Sequence, residues 1–439
     1  MPDRPAPPAG APAAPAPPTA PPAATPVPCR SCGAPLVHTF VDLGTSPLCQ
    51  SVVRPEDAGR GEVHYPLRAV VCGACSLVQL DADVPPEAHF EGEYAYFSSH
   101  ADSWVEHARR YVDDAVARLG LGPESLVVEV ASNDGYLLQH VVARGVPCLG
   151  VEPAANVAAA AEARGVPTRV AFFGADEARR MAAEGLRADL VVANNVLAHT
   201  PHLGSFLDGI AALLKPPGDG GRGGVATVEA PHLVRLVDGG QFDTVYHEHY
   251  SYFSMTAAER AFVRHGLALF DVEELPTHGG SLRYHLAPVG AGRPASGRVA
   301  ALREREAVWG VDRLATYAAF GERAQAVKRD LLSFLVDARR AGRTVAGYGA
   351  PGKGNTLLNY CGVRTDLLAY TVDRNPYKQG TLTPGARVPV YAPERVFETR
   401  PDYLLILPWN LRDEIAEQMA GVREWGGRFV VPIPELEVW

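Results

Sequence analysis

Two short cysteine pairs constrain this chain more than anything else in it: CRSC, with Cys29 and Cys32, and CGAC, with Cys72 and Cys75. Each CxxC is a tight turn that presents two thiolates, and Gly33 and Gly73 ease the backbone through it. Two such turns in one small segment are the signature of a tetrahedral four-cysteine zinc site. A redox reading would need one pair to open a helix after a strand, and neither does. A closed four-thiolate site has no open coordination position, so its Zn2+ is expected to be structural and to do no chemistry. Cys49, Cys148 and Cys361 stand alone and read as packing residues.

At 439 residues the chain has room for two or three domains, each with its own core. A hydrophobic share of 47% and a charged share of 21% mark a globular protein rather than a disordered or fibrous one. The net charge of −9 speaks against a nucleic-acid-binding surface, which needs clustered Lys and Arg. No window approaches the roughly 18 uninterrupted apolar residues of a membrane-spanning helix. Residues 1–28 are mostly Pro and Ala, without the apolar region of a signal peptide, and are expected to be a disordered tail. The expectation is a cytoplasmic protein with reduced thiols, a monomer or weak homodimer, binding neither nucleic acid nor membrane.

From Ser125 the sequence alternates strand and helix. SLVVEV reads as a buried parallel strand, ASNDG as a turn, and YLLQHVVARG as an amphipathic helix ending at Gly145. PCLGVE, ADLVVANN and GVATVEAP add strands, so the unit is expected to be doubly wound α/β, with ligands beyond the carboxyl ends of its strands. Glu152 ends the second strand, where a carboxylate can accept both hydroxyls of a ribose. The first loop, Glu129 to Gly135, has one glycine and an Asp where a dinucleotide site would show GxGxxG. Such an acidic loop repels pyrophosphate and suits the sulfonium and amino group of S-adenosylmethionine (SAM). The cofactor-binding set is therefore expected to be Glu129, Ala131, Asn133, Gly135, Tyr136, Glu152, Asn194 and Asn195.

Near the C-terminus, RTVAGYGAPGKGNTLLNY reads as strand, Gly-rich turn and helix. Gly347, Gly349 and Gly352 satisfy GxGxxG, and Asp373 lies where a ribose-binding acid belongs. Alone this is an NAD fingerprint, so one reading of the chain is a dehydrogenase or epimerase. A P-loop is excluded because GKGN lacks the Ser or Thr that would hold magnesium. The same geometry suits one nucleoside diphosphate, with Gly349, Lys353, Asn355, Asp373 and Lys378 as its expected contacts. Two nucleoside sites would describe a transferase with two nucleotide-bearing ligands. A zinc-dependent scaffold without catalysis would explain neither.

Taken in order, VVEVASNDGYLLQH, GVEPAANVA, ANNVLAHTPHL, YHEHYSYFS, GGSLR and GYGAPGKGNTLLNY make the chain resemble the nucleotide-sugar C-methyltransferases of deoxysugar biosynthesis, from about Cys29 to the C-terminus. The resemblance implies a SAM-dependent enzyme that methylates a ring carbon beside the ketone of a dTDP-4-keto-6-deoxysugar, most often C3. It also implies active-site roles for Tyr246, Glu248 and His249, for His199, and for Tyr94 or Tyr96. The implied organisation is a zinc-binding domain (29–95), a Rossmann-like SAM domain (96–290), a helical connection (291–340) and a second α/β domain (341–439).

That chemistry accounts for TVYHEHYSYFS, residues 244–254, which otherwise reads as a strand unusually rich in titratable groups. Carbon becomes nucleophilic when a base removes the proton α to a carbonyl, and His has the unperturbed pKa, about 6.5, that fits. The enolate oxygen needs donors, such as a Tyr hydroxyl or a second His. A carboxylate beside the base, here Glu248, can orient its ring, and the resemblance makes His249 the base, with Tyr246, His199 and the N-terminal tyrosine near the sugar ketone. A flat strand would put Glu248 and His249 on opposite faces, so a bend or strand end is expected here. A metal reading of HxH would require a third ligand such as His232 or His199. For His38, His64, His89 and His265 a structural role is expected.

Overall fold

The structure, a computed structural model, describes residues 26–82, 84, 97–218 and 223–439. Most of the Pro/Ala stretch, together with His89, Tyr94 and Tyr96, lies outside the described residues. In chain order the strands are β1 (His38–Ser46), β2 (Tyr65–Val71), β3 (Val78–Leu80), β4 (Val127–Val130), β5 (Cys148–Glu152), β6 (Thr168–Val170), β7 (Leu190–Asn194) and β8 (Val225–Pro231). There follow β9 (Ser251–Tyr252), β10 (Leu267–Leu275), β11 (Ser281–Pro288), β12 (Val345–Tyr348), β13 (Thr371–Val372), β14 (Val390–Tyr391), β15 (Tyr403–Ile406), β16 (Arg428–Val431) and β17 (Glu437–Val438).

Three sheets form. The central one has the order β10-β11-β8-β7-β4-β5-β6. Its parallel core, β4, β7 and neighbours, is buried on both faces, which is why those segments are continuous runs of Val, Leu and Ala. Only β11 and β10 run antiparallel, at one edge, so the sheet is mixed rather than wholly parallel. The helix read from YLLQHVVARG is confined to Leu138–Val142, because Tyr136 and Leu137 are buried in the loop that precedes it. The order reverses between β4 and β7, a topological switch point with a crevice at the strands' carboxyl ends. The C-terminal sheet, β14-β13-β12-β15-β16-β17, has its own reversal between β12 and β15.

The four-stranded sheet is composite. β1, β2 and β3 come from the cysteine-bearing segment, and β9 joins them from a point some way along the chain, pairing Val78 with Tyr252 and Gln79 with Ser251. Helices Gly297–Trp309, Leu314–Ala318 and Phe320–Arg340 link the central and C-terminal sheets. Phe320 stacks on Phe40 of β1 with ring centroids 4.4 Å apart, so one apolar core runs from β1 through the long helix to the C-terminal sheet. The segment after β1 lies across the C-terminal unit: Val53 bridges Leu382, Asn355 Nδ2 donates to the Cys49 carbonyl, and Arg387 pairs with Glu62 at 2.7 Å. Among the described residues no helix is long and apolar enough to cross a membrane.

One buried carboxylate ties the linking helices to the central unit. Glu306 accepts hydrogen bonds from the amides of Met255 and Thr256, at the start of helix Met255–Arg264, and meets His232 at 2.8 Å. A carboxylate at a helix N-terminus satisfies amides that have no partner within the helix. Removing it strands a buried histidine as well, so Glu306→Ala should cost about 3–5 kcal/mol in denaturant unfolding.

Candidate active site

Residues 244–250 do not form a strand. The Tyr246 carbonyl accepts from the His249 amide at 2.9 Å, closing a turn, and extended structure resumes only at β9. Alternation therefore does not apply, and the turn fans its side chains in different directions. Tyr246 Oη lies 2.8 Å from His249 Nε2. His249 Nδ1 lies 2.8 Å from the Thr244 carbonyl, which accepts its proton and leaves Nε2 with the lone pair. The His199 ring stands edge-on to His249 at 4.6 Å between centroids. Burial, then the neighbouring His199, hold the His249 pKa well below the usual histidine range.

The other two polar side chains of the turn leave this centre. His247 Nε2 sits 3.1 Å from the Pro66 carbonyl, at the start of β2. Its direction away from His249 removes the HxH metal reading. Among the described residues the one grouping of three or more potential metal ligands is the four cysteines. Glu248 turns toward Cys49, whose Sγ is 3.3 Å from Oε1, and toward Lys378. It does not orient the His249 ring; the Thr244 carbonyl does that. Burial pushes the Glu248 carboxyl up to about 7, against the opposing pull of Cys49 and Lys378.

The switch point of the central sheet carries the residues expected to hold the cofactor. Ala131 and Asn133 hold left-handed φ values of 55° and 49°, as does Asn195 at 53° beyond β7. Non-glycine residues held there are costly and gather at ligand sites. Glu152 Oε2 accepts from the Asn133 amide at 3.0 Å and Oε1 from the Ala154 amide at 2.9 Å. Glu129 lies fully buried beneath the loop, its carboxyl pushed well up first by burial and further by Glu152 and Asp134, against a hydrogen bond from Tyr136. Arg164 pairs with Asp134 at 2.7 Å, so the acidity of the loop is partly neutralised within the protein. Both amide atoms of Asn194, Asn195 Oδ1 and Asp134 Oδ1 are buried without a protein partner. Unpaired polar atoms between converging carboxylates fit a polar, cationic nucleoside, and SAM suits this crevice. Just beyond Asn195 the helical turn Leu197–His199 sets His199 beside the His249 ring, so the two candidate groups of residues share one switch point.

The second switch point faces the turn from the other side. A Cβ on Gly352, the first residue of helix Gly352–Cys361, would lie 3.0 Å from Cys49 Sγ and 3.7 Å from the Tyr246 ring. Several expected nucleotide contacts here serve the loop itself. Asp373 Oδ2 accepts from the Ala350 amide, Lys378 Nζ donates to the Ala350 carbonyl, and Asn355 holds Cys49. Gly349 has φ 88°, and a Cβ on it would press 2.6 Å from Pro408. Lys353 donates to Asn410 Oδ1 at 2.7 Å and lies 4.5 Å from the Trp409 ring centroid. Trp409 donates in turn to the buried Asp243 at 2.8 Å.

The cysteines converge as the spacing predicts. Cys29 and Cys75 sulfurs, and those of Cys32 and Cys72, are 3.6 Å apart, and all four lie within 4.8 Å of one another. Tetrahedral zinc with 2.3 Å bonds requires sulfurs about 3.8 Å apart, so the set fits. Gln79 Nε2 donates to Cys29 Sγ, an outer contact of the kind that orients a ligand. From the same knuckle, Arg30 donates to the carbonyls of Leu80 and Tyr250, linking the metal turn to the residue after His249. His265 pairs with Asp208 on the surface, and a Cβ on Gly73 would crowd His38; neither histidine approaches the site.

Sequence reasoning passed over His278, which has φ 55°, lies edge-on to Trp104 at 5.0 Å and has a buried Nδ1 without a partner. It also passed over Trp409, Asn410 and Asp243. The GG of GGSLR was the available signal: a Cβ on Gly279 would strike Trp409 at 2.7 Å, so that pair lets two units touch.

Known proteins extend this description. Family models match the chain in succession: a zinc binding domain at residues 29–90, a methyltransferase domain at 104–272 and a C-methyltransferase C-terminal domain at 276–434. The last spans the GxGxxG and disfavours the dehydrogenase reading. The C-methyltransferase NovU of Streptomyces niveus is 38% identical over 410 residues, 93% of this chain and 96% of the relative. Magnesium protoporphyrin IX methyltransferase of Synechocystis PCC 6803, solved with SAM, is 14% identical with a TM-score of 0.31, covering 46% of this chain and 89% of its own. The Burkholderia thailandensis 1,6-didemethyltoxoflavin-N1-methyltransferase, solved with S-adenosylhomocysteine, is 17% identical with a TM-score of 0.33, covering 48% and 94%. Likenesses at those scores are too slight to assign any residue of this chain a role.

Metal analysis of the purified protein should return one zinc per chain, and Cys72→Ser should lose both the metal and thermal stability. Full metal content in that variant would contradict the site. Glu248 gives a pH-dependent expectation. Its folded pKa is raised, so its favourable contribution is complete below the unfolded value near 4.5 and is lost as pH rises through about 7. Glu248→Gln should therefore gain about 1–3 kcal/mol relative to wild type at pH 8 and little at pH 4, read from thermal melts at both.

Proposed function

This chain belongs to the SAM-dependent C-methyltransferases that carry a zinc-binding domain, and we propose that its acceptor is the carbon beside the ketone of a dTDP-4-keto-6-deoxysugar. We assign the acceptor carbon as C3 and the product as a branched deoxysugar for a natural-product glycoside. The observation that carries this reading is the His249 imidazole. Its Nδ1–H is committed to the Thr244 carbonyl, its Nε2 lone pair is directed at Tyr246, and its charged form is disfavoured. A neutral histidine with one oriented lone pair is a base ready at neutral pH.

In this mechanism His249 Nε2 takes the α-proton. The C–H electron pair becomes the new carbon–carbon double bond, and the carbonyl π pair moves onto oxygen. Tyr246, released from Nε2 as the substrate carbon takes its place, donates to that oxygen, with His199 alongside. The Thr244 carbonyl keeps its hydrogen bond to Nδ1 throughout and so supports the imidazolium that forms. Glu129, Glu152, the 131–135 loop, Asn194 and Asn195 would hold SAM, and the β12–β15 switch point would hold the nucleotide. When bound there, SAM would supply the methyl group that the enolate carbon takes from sulfur.

Assays of methyl transfer against a panel of dTDP-4-ketosugars, with product NMR, test the acceptor and distinguish C3 from C5. Proton removal is visible without methylation. In deuterium oxide, with S-adenosylhomocysteine in place of SAM, wild type should exchange the α-proton. His249→Asn should exchange about 10²–10⁴-fold more slowly while binding both ligands, and Tyr246→Phe should lose less. Exchange that survives at His249→Asn but disappears at His199→Asn would move the base.

A further inference from the structure

A lysine at the head of a helix after a glycine-rich loop is ordinarily assigned to phosphate. Lys353 has side-chain partners of its own. Its ammonium is held by Asn410 Oδ1 at 2.7 Å and lies over the Trp409 indole at 4.5 Å. That indole spans the junction. Its N–H is bonded to Asp243, one residue before the Thr244 whose carbonyl fixes His249, and its far edge packs on Gly279, next to His278. The ammonium's two partners thus sit on the 408–410 loop, and Trp409 joins that loop to the 243–249 turn and the 277–279 turn.

Resting on the reading above, we infer that Lys353 is a further catalytic residue: its ammonium borders the space shared by His249 and His278 and receives the negative charge on the ketone oxygen as His249 removes the α-proton. A fixed cation aimed at the oxyanion acts strongly in a water-poor site, because no reorganisation is needed as charge develops. The surrounding charges agree with this placement. Lys353 is close enough to add to the depression of both His249 and His278, the latter brought down to about 4 mainly by burial. The groups facing His249 are Tyr246, Tyr252, His199, His278 and Lys353; His278 also faces Glu229 and His107. Asp243 is the carboxylate that balances Lys353, and burial raises it to about 6 against the pull of Lys353 and Trp409. Burial lowers the Lys353 pKa, and among the described residues Asp243 is the carboxylate that favours the charged ammonium against it.

The test uses full-length Lys353→Met and Lys353→Gln, the second retaining a partner for Asn410 should the first fold poorly. Three quantities are measured: dTDP affinity by calorimetry, the His249 titration midpoint by NMR, and α-proton exchange on dTDP-4-keto-6-deoxyglucose. The expected result is dTDP affinity within twofold of wild type, a higher His249 midpoint, and exchange slowed by about 10–10³-fold. The NMR signal is assigned by its loss in His249→Asn. A loss of dTDP affinity beyond tenfold would return Lys353 to the phosphates, and an unchanged His249 midpoint would show that it faces elsewhere; either overturns the inference. Wild-type rates of exchange in both variants would do so too. If wild type itself exchanges nothing, the acceptor assignment fails, while affinity and titration still decide where Lys353 faces.

Discussion

The single turn closed by the Tyr246 carbonyl and the His249 amide is what the rest of the site depends on. It sends His247 to the cysteine-bearing unit, Glu248 toward the C-terminal unit, and Tyr246 with His249 to the centre. It is held from outside on both flanks. Upstream, Asp243 is bonded to Trp409; downstream, β9 is paired with β3, and Arg30 of the metal knuckle holds the Tyr250 carbonyl. The cysteine knuckle thereby braces the turn that carries His249. Groups that must meet a reacting carbon within a fraction of an ångström need such support, since small misplacements are costly.

Much of this was legible in the residues. Cysteine spacing identified the metal unit because a tetrahedral site leaves few alternatives, and aliphatic runs identified β4, β5, β7 and β8 because strands covered on both faces have no polar side. The turn at 246–249 was harder. Alternating aromatic and polar residues look like strand, and the reason for the bend is tertiary: His247 finds its acceptor on β2 and Glu248 its donor at Cys49, both remote in sequence. His278 and Trp409 were invisible for the same reason, as each takes its meaning from a residue far along the chain. In the Gly-rich loop the motif shows a turn and a helix start, and the structure adds that Asp373, Lys378 and Asn355 brace that loop.

Burial is the common electrostatic theme. The centre contains histidines kept neutral and carboxyls kept near neutrality, with desolvation the largest cause at His249, His278, Asp243 and Glu248 alike. Histidine bases lose their imidazolium and acids lose their carboxylate under the same influence, so one dry junction prepares both kinds of group. On the proposed reading, a site organised this way would keep water from a reactive enolate and from the methyl donor together.

The course of the backbone has a consequence for synthesis in the cell. The segment holding Cys49, Val53 and Glu62 leaves the ribosome early, yet its partners at Asn355, Leu382 and Arg387 arrive only near the end. Until then that strap has nothing to lie on, and Glu248 lacks the Cys49 contact that the closed arrangement provides. Contacts between such distant positions carry a large closure cost and form late. The nascent chain can therefore build its central sheet while still being translated, but the closed arrangement around Cys49 and Glu248 forms only once residues 355–387 have emerged.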